Sequence, residues 1–249
     1  MINNQNIHSS VTIEDGAKIA PDVVIGPFCS IGKGVEIKSG CTLEANIILK
    51  GKIRIDEDVK IFSFAIIGND NSEIEIGTKT HIREFTQIGS QESEDGENRK
   101  IIIGSNNFLM GYVQLSSGVE LGDFCIITNA VRLLENVKCH EKVIVGGLSI
   151  IEANNTIGTG VMIGGASVVT TDIPPFVLVE GNKATIKGLN IIGLRRRVEN
   201  KDDIEEIKAI YKRVLGDGVD KVMAQEILKT HQNEYIKQLT SFIISSNLE

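Results

Sequence analysis

Tryptophan is absent from this sequence, and aromatic residues make up only 4% of its 249 residues. A sandwich or a mixed domain usually places some large rings in its core, because each ring buries a large apolar area. With so few rings, the core must be filled by Ile, Val and Leu. This composition favours a thin, regular and repeated cross-section.

Long apolar segments and an excess of positive charge are also lacking. No apolar run is long enough to cross a bilayer, and the opening residues MINNQNIHSS have neither the basic nor the apolar region of a signal peptide. The formal net charge of −7 argues against general nucleic-acid binding. We therefore expect a cytoplasmic protein with no membrane span and no nucleic-acid partner.

Cysteine is scarce, and the four cysteines form no CxxC pair. That spacing argues against the common zinc and dithiol motifs. Cys29, Cys41 and Cys125 occupy a position that Val, Ala or Ile fills in neighbouring segments, so we expect them to pack as small buried hydrophobes. We expect no metal site and no cofactor.

The sequence does contain an aliphatic residue at nearly every sixth position. The spacing runs unbroken from Ile7 to Ile67, resumes from Ile76 to Ile88, and continues from Ile103 to Val169, with Cys139 taking one place. A period of six is not the helical 3.6. Because six is even, strand alternation returns each aliphatic side chain to the same face. Three hexads make one triangular coil, so the pattern predicts an all-β parallel β-helix of hexapeptide repeats.

The repeat is interrupted twice. Nine residues separate Ile67 from Ile76, and fifteen separate Ile88 from Ile103. The extra residues predict loops that leave the prism near 69–75 and near 90–100. Each loop is open to two interpretations, a solvated excursion or a lid or subunit contact, because loops on a rigid scaffold often carry binding residues.

The repeat ends at Pro174-Pro175, which cannot continue the stacked strands. From Asn200 the apolar residues take helical spacing, with Asn200 or Asp202 as the helix N-cap and a break at Gly216–Gly218. We therefore predict a β-helix over residues 1–185 and a small helical domain over residues 186–249. The predicted helices contain Ile204 to Leu215, Val222 to Leu228, and Tyr235 to Ile243.

Several motifs resemble one family across nearly the whole chain. They are IGPFCSIG at 25–32, GSNNFLM at 104–110, GGASVV at 164–169, and DIPPFVLVEGN running into GNKATIKGLNIIGLRRR at 172–197. These motifs are similar to those of the UDP-N-acetylglucosamine acyltransferases of lipid A biosynthesis. The resemblance implies a left-handed coil, a homotrimer with active sites in clefts between prisms, a nucleotide sugar as acceptor, and an acyl carrier protein thioester as co-substrate.

In that family a neutral His removes the proton from a sugar hydroxyl, which attacks the thioester. The resemblance places this His at Ser117, its companion at Gln114, and two further active-site His at Asn136 and Glu152; none of the chain's own histidines aligns with them. A serine hydroxyl has no useful proton affinity, so Ser117 is interpreted as part of a turn. Glu152 is the one replacement able to accept a proton, provided that partial burial strengthens it as a base.

Other family positions are retained. The resemblance implies an acyl pocket lined by Met110, Met162 and Gly165, where the glycine leaves room for a long chain. It also implies that substrate-binding residues include Gln114, Asn136, Asn190, Arg196 and Arg197; Arg suits phosphate because its fork binds two oxygens.

Three functions follow from these observations. The first is an acyltransferase with altered or lost catalysis, acting on a different acceptor or through a different base. The alternative is a non-catalytic homologue that binds acyl carrier protein or a nucleotide sugar. An acetyl-CoA transferase of the wider hexapeptide group fits the repeats but not the junction motif or the helical tail. The basic residues near the junction are suited to attract an acidic carrier protein.

Overall fold

The structure is a computed structural model that describes residues 6–91, 96–97, 99–216, 218–246 and 248. Its larger part is a three-sided prism of about nine coils, built from three parallel sheets that we call faces 1, 2 and 3. The chain visits the faces in that order in every coil. We name the corner between two faces by their numbers, so that corner 1/2 follows face 1.

Face 1 carries nine strands; its outward residues are small and polar in β1 and β4, apolar in β7, β10, β22 and β25, and larger and polar in β13, β16 and β19. Its strands are β1 (Thr12–Ile13), β4 (Ser30–Ile31), β7 (Ile48–Leu49), β10 (Ile66–Ile67), β13 (Gln87–Ile88), β16 (Gln114–Leu115), β19 (Arg132–Leu133), β22 (Ile150–Ile151) and β25 (Val168–Val169).

Face 2 carries eight strands, and its outward residues are mainly charged. They pair along the prism, as in Lys138 with Glu120 at 2.9 Å and Lys100 with Glu75 at 2.7 Å. Its strands are β2 (Lys18–Ile19), β5 (Val35–Ile37), β8 (Lys52–Ile55), β11 (Glu73–Ile76), β14 (Ile101–Ile103), β17 (Glu120–Leu121), β20 (Lys138–Cys139) and β23 (Thr156–Ile157).

Face 3 carries ten strands, the last of which pairs antiparallel to its neighbour. Its outward residues become apolar towards the C-terminal coils. Its strands are β3 (Val24–Ile25), β6 (Thr42–Leu43), β9 (Lys60–Ile61), β12 (His81–Ile82), β15 (Phe108–Leu109), β18 (Ile126–Ile127), β21 (Ile144–Val145), β24 (Met162–Ile163), β26 (Val177–Glu180) and β27 (Thr185–Leu189).

The core confirms the six-residue pattern. In most strands the second residue is the predicted aliphatic one, and it is fully buried, whereas the residue before it points outward. All four cysteines are buried and free, as expected for small hydrophobes in this ladder. Burial raises the pKa of Cys125 to about 12, so its thiol stays protonated and unreactive.

The predicted loops and boundary need three adjustments. Residues 73–75 are not loop, because β11 begins at Glu73 and stacks on β8, so the first excursion is limited to residues 69–72. The second excursion includes residues 92–95 and 98, which lie outside the described residues. The prism extends beyond residue 185, because β26 and β27 add a hairpin to face 3 that ends at Leu189.

The helical region begins after that hairpin. A short helix that the sequence pattern missed, α1 (Ile191–Arg195), precedes the three predicted ones: α2 (Lys201–Leu215), α3 (Lys221–Thr230) and α4 (Glu234–Ser245). The side chain of Asn200 accepts a hydrogen bond from the amide of Asp202, which confirms the predicted N-cap. Among the described residues, no helix has both the length and the apolar character needed to span a membrane.

The helical region is joined to the prism at corner 2/3. The Asn190 side chain donates from Nδ2 to the carbonyl of Gly160 at 3.1 Å, and the Arg197 guanidinium donates to the carbonyl of Lys142 at 3.1 Å. Gly160 has a φ of +68° and lies directly against that guanidinium, in space that a Cβ would fill. The corner therefore accepts Arg197 only because residue 160 is glycine.

We predict that Gly160→Ala loosens this junction. The added methyl group clashes with Arg197 and strains a left-handed backbone, so the free energy of unfolding should fall by about 2–4 kcal/mol. Chemical denaturation of the purified protein measures it. Gly96→Ala is the matched control: Gly96 has a similar φ of +75°, but no atom of the described residues lies within 4 Å of an added Cβ, so we expect only the backbone strain of about 1–2 kcal/mol. Equal losses in both variants would contradict the contact.

Candidate active site

A polar cavity of about 170 Å³ lies where face 1 turns into corner 1/2. It is formed by outward residues of β13, β16 and β19 together with the turns that follow them. Its lining residues are Gln87, Ser90, Gln91, Gln114, Leu115, Ser116, Ser117, Arg132, Leu134, Glu135 and Ala153. The stretch that carries Ser117, where the resemblance places the family's His, thus lines this cavity.

Ser117 is tied into the main chain of the second excursion. The residue is only 5% exposed. Its Oγ accepts a hydrogen bond from the amide of Arg99 at 2.7 Å and lies 3.3 and 3.4 Å from the carbonyl oxygens of Arg99 and Glu97. The next residue, Gly118, has a φ of +74° and donates its amide to the same Arg99 carbonyl. This geometry agrees with the predicted turn, and the Ser117 hydroxyl links Glu97 and Arg99 to the prism.

The cavity is dominated by three polar side chains on consecutive strands. Gln87, Gln114 and Arg132 are in register and point outward, and none has a side-chain hydrogen bond to another described residue. Sequence reasoning found Gln114 but missed Gln87 and Arg132. The signal was available, since each stands immediately before a core aliphatic residue on the same face.

The other two residues predicted at this corner, Asn136 and Glu152, differ in their surroundings. Asn136 lies just beyond the cavity, where its side chain donates to the Asn154 side chain at 2.9 Å. Glu152 is exposed, as is Ala153 beside it. The single chain therefore lacks the partial burial that would strengthen Glu152 as a base, and its carboxylate is exposed to solvent.

The three residues of the predicted acyl pocket lie away from corner 1/2, on face 3 or at corner 3/1. Met162 points outward from face 3, whereas Met110 and Gly165 belong to corner 3/1. Gly165 is exposed and lies close to Gly147 of the preceding coil. Met110 is three coils below Gly165, about 14 Å along the prism. Within one chain none of these three residues lines the cavity at corner 1/2.

The predicted phosphate-binding residues lie at the third corner. Asn190 caps α1 by accepting from the amide of Gly193 at 2.9 Å, and Arg197 is half-buried against corner 2/3. Burial lowers the pKa of Arg197, whose guanidinium serves the junction in the single chain. Arg196 is exposed and free to meet a ligand.

The four histidines all lie within the described residues, and none stands at corner 1/2. His8 hydrogen-bonds Ser10 near the start of the prism, and His231 at the end of α3 pairs with a glutamate of α2. His81 points outward from face 3. His140, at corner 2/3, packs edge-on against Phe242, and burial there lowers its pKa. Among the described residues, no group of three or more His, Cys, Asp and Glu side chains is arranged to hold a metal.

We predict that Ser117→Ala destabilises the fold. The change leaves the Arg99 amide without its acceptor, and the free energy of unfolding should fall by about 1–3 kcal/mol. Ser116→Ala is the matched control, because Ser116 lines the same cavity but its hydroxyl has no hydrogen bond among the described residues. Denaturant titration of both variants compares them. A stable Ser117→Ala protein would mean that the hydroxyl has no structural role.

Comparison with known proteins identifies the family. A family model described as Udp N-acetylglucosamine O-acyltransferase, Domain 2, matches residues 172–248, and a GMPPB C-terminal domain model matches residues 1–95. The acyl-acyl-carrier-protein–UDP-N-acetylglucosamine O-acyltransferase of Aliarcobacter butzleri is 41% identical over 97% of this chain and 96% of its own. Its namesake from Campylobacter concisus is 33% identical over 97% of this chain and 95% of its own.

The solved structures agree with these relatives. The UDP-N-acetylglucosamine acyltransferase from Campylobacter jejuni superposes with a TM-score of 0.90 at 32% identity and covers 97% of both chains. That match confirms the predicted left-handed β-helix with a helical C-terminal region. The chain belongs to the UDP-N-acetylglucosamine O-acyltransferase family.

Proposed function

We propose that this chain forms a homotrimer that binds an acyl carrier protein thioester and a nucleotide sugar in the clefts between its prisms. In this proposal the trimer does not transfer the acyl group by the histidine-dependent route that the family resemblance implies. The observation that carries it is the state of Ser117. Its hydroxyl is hydrogen-bonded to the main chain of Glu97 and Arg99, and all four histidines lie elsewhere.

The distribution of charge around the prism supports a closed ring. Face 2 is covered with ion pairs such as Lys138 with Glu120, which suit contact with water. The later coils of the other two faces present apolar residues, such as Ile150 on face 1 and Met162 on face 3. Face 1 of one copy packed on face 3 of the next buries both, and repetition of that contact closes after three copies.

An aromatic stack at corner 3/1 supports the same arrangement. The rings of Phe64 and Phe85 lie 5.1 Å apart, and those of Phe85 and Tyr112 lie 4.9 Å apart, all nearly parallel. Each ring is more than two-fifths exposed in the single chain. Corner 3/1 joins the two apolar faces, so it turns towards the three-fold axis when they meet. Three copies of the stack would then shield one another, which explains an otherwise unfavourable exposed patch.

The same packing brings the scattered site residues together. When face 1 of one copy meets face 3 of the next, its corner 1/2 lies beside corner 2/3 of that neighbour. The cavity around Gln114 then faces the neighbour's Phe108 and Ile126 across the interface, with Met162 further along the same face and Arg196 at the outer edge. A cleft with an apolar wall and a basic rim suits an acyl chain and the phosphates of a nucleotide sugar.

The groups at this cleft favour binding over transfer. A sugar hydroxyl is a weak nucleophile until a base removes its proton. The Ser117 hydroxyl cannot act as that base, and the Glu152 carboxylate is exposed to water. Gln114 and Arg132 can hydrogen-bond a substrate but do not accept a proton near neutral pH.

The charge near the junction supports an acidic partner. Lys187, Arg195 and Arg196 are exposed on a chain with a net charge of −7, and Lys212 and Arg213 add to them along α2. An acidic carrier protein approaching the cleft would be drawn to this basic area.

We predict binding without turnover. In calorimetry the purified protein should bind acyl carrier protein carrying a non-hydrolysable acyl amide, and with the true thioester and UDP-N-acetylglucosamine no acylated sugar should appear by mass spectrometry. Reversing Arg195 and Arg196 to Glu should weaken carrier binding about tenfold, because two favourable rim charges become repulsive. Reversing Lys18 and Lys138 on face 2 is the control with the same change of charge.

Two results would contradict this proposal. Absence of carrier binding would remove the proposed partner, and catalytic formation of an acylated sugar would mean that a base operates. Glu152→Gln then decides whether that base is the one carboxylate at the family's histidine positions.

We predict that Phe85→Glu dissociates the trimer, because it places three carboxylates near the axis of the ring. Light scattering coupled to size exclusion should give the mass of one chain for this variant and of three for the parent. Phe124→Glu is the matched control: Phe124 is also an exposed corner residue, at 52% against 43%, but it stands at corner 2/3. A trimeric Phe85→Glu protein would contradict the proposed axis.

A further inference from the structure

The geometry points to a specific contact between copies, in which the imidazole of His81 on face 3 hydrogen-bonds the carboxamide of Gln87 on face 1 of the next copy, and this contact makes assembly sensitive to acid. The inference rests on the proposed trimer and specifies which residues of two neighbouring copies face each other. It concerns side chains in the middle of the prism.

Symmetry fixes which residues can meet. A three-fold axis parallel to the prism moves no residue along the prism, so face 3 of one copy contacts face 1 of the next at the same height. His81 in β12 and Gln87 in β13 are consecutive outward residues on these two faces, on either side of Phe85 at corner 3/1. Their heights differ by about 1.6 Å, a third of the strand spacing of about 4.8 Å.

Hydrogen-bonding capacity matches at this height. Gln87 begins the polar stretch of face 1, with Ile66 in the strand below it. Burying its carboxamide against an apolar neighbour would cost about 1–3 kcal/mol. The outward residues of face 3 in the next two coils, Phe108 and Ile126, cannot serve it. His81 can, and its own side chain has no hydrogen bond among the described residues.

The surroundings of His81 oppose its protonation. Lys60 lies in the strand below it and Arg83 follows it in the chain, while Phe108 packs edge-on above it at 6.0 Å. Arg83 is held by Glu84, the one carboxylate paired in this cluster. Burial lowers the pKa of His81, and the two cations lower it further. On the opposing face Arg132 is the nearest charge along the polar stretch, so both sides disfavour an imidazolium.

The direction of the pH effect follows. Since the contact holds His81 neutral, the free chain binds protons more readily than the trimer does once the pH falls below the pKa of His81 in the free chain, which itself lies below the ordinary histidine value. Assembly is therefore complete above that pH and weakens as pH falls. For each unit by which the contact lowers the pKa of His81, full protonation reduces the equilibrium constant of that contact by up to about tenfold.

Cysteine cross-linking tests the register. Because all four native cysteines are buried, a mild oxidant should act mainly on introduced ones. His81→Cys combined with Gln87→Cys should give covalently closed trimers at pH 8, since facing residues lie within disulfide reach. Lys60→Cys with Gln87→Cys is the off-register control, one coil lower, and should cross-link far less. A trimer by light scattering that cross-links no better than this control would overturn the contact but leave the trimer standing; a single chain at pH 8 would overturn both.

Light scattering at pH 8 and pH 5.5 tests the acid response. The parent should be trimeric at pH 8 and should dissociate at pH 5.5 when diluted to near its dissociation constant. His81→Gln should remain trimeric at both, because its carboxamide can pair with Gln87 but does not titrate. His140→Gln, which changes a histidine outside the interface, should dissociate like the parent. Equal acid dissociation in His81→Gln would overturn the proposal.

Discussion

The stacking of one aliphatic side chain per hexad inside the prism is the interaction on which the rest of this molecule depends. Each inward residue packs on the equivalent residue of the coils above and below, so the interior is a continuous column of Ile, Leu and Val. This leaves the residue before each aliphatic one outside the core. The chemistry of each face is therefore set by that outward residue, and a face can change from charged to apolar without disturbing the core.

One prism keeps apart the residues that the family resemblance assigns to a single site. The polar cavity lies at corner 1/2, Met162 and Gly165 lie around face 3, and Asn190 and Arg197 lie at corner 2/3. A rigid rod of coils cannot fold these together. In the proposed trimer, packing of one rod beside another brings them into one cleft, so the composition of the faces and that of the site have to be considered jointly.

Much of the fold could be predicted from the sequence, because a period of six leaves few alternatives and helical spacing after Asn200 is equally plain. Errors came where local pattern competes with pairing: Glu73 joins a strand because β8 offers it a partner, and the hairpin ending at Leu189 has no hexad signal. The turn at Ser117 was predicted from its small residues. Its bonds to Arg99 were not, since nothing in the spacing of residues 90–100 says which backbone groups return to the prism.

The hydrogen bonds of Ser117 have a consequence for how this corner can change over generations. Residue 117 takes part in holding the main chain of Glu97 and Arg99, and its hydroxyl accepts a hydrogen bond from the amide of Arg99. An imidazole at that position would have to displace this backbone before reaching any substrate. Residue 117 is thus constrained by folding: an exchange of this serine changes the support of the neighbouring loop as well as the lining of the cavity, so its replacement by histidine calls for a compensating change in that loop.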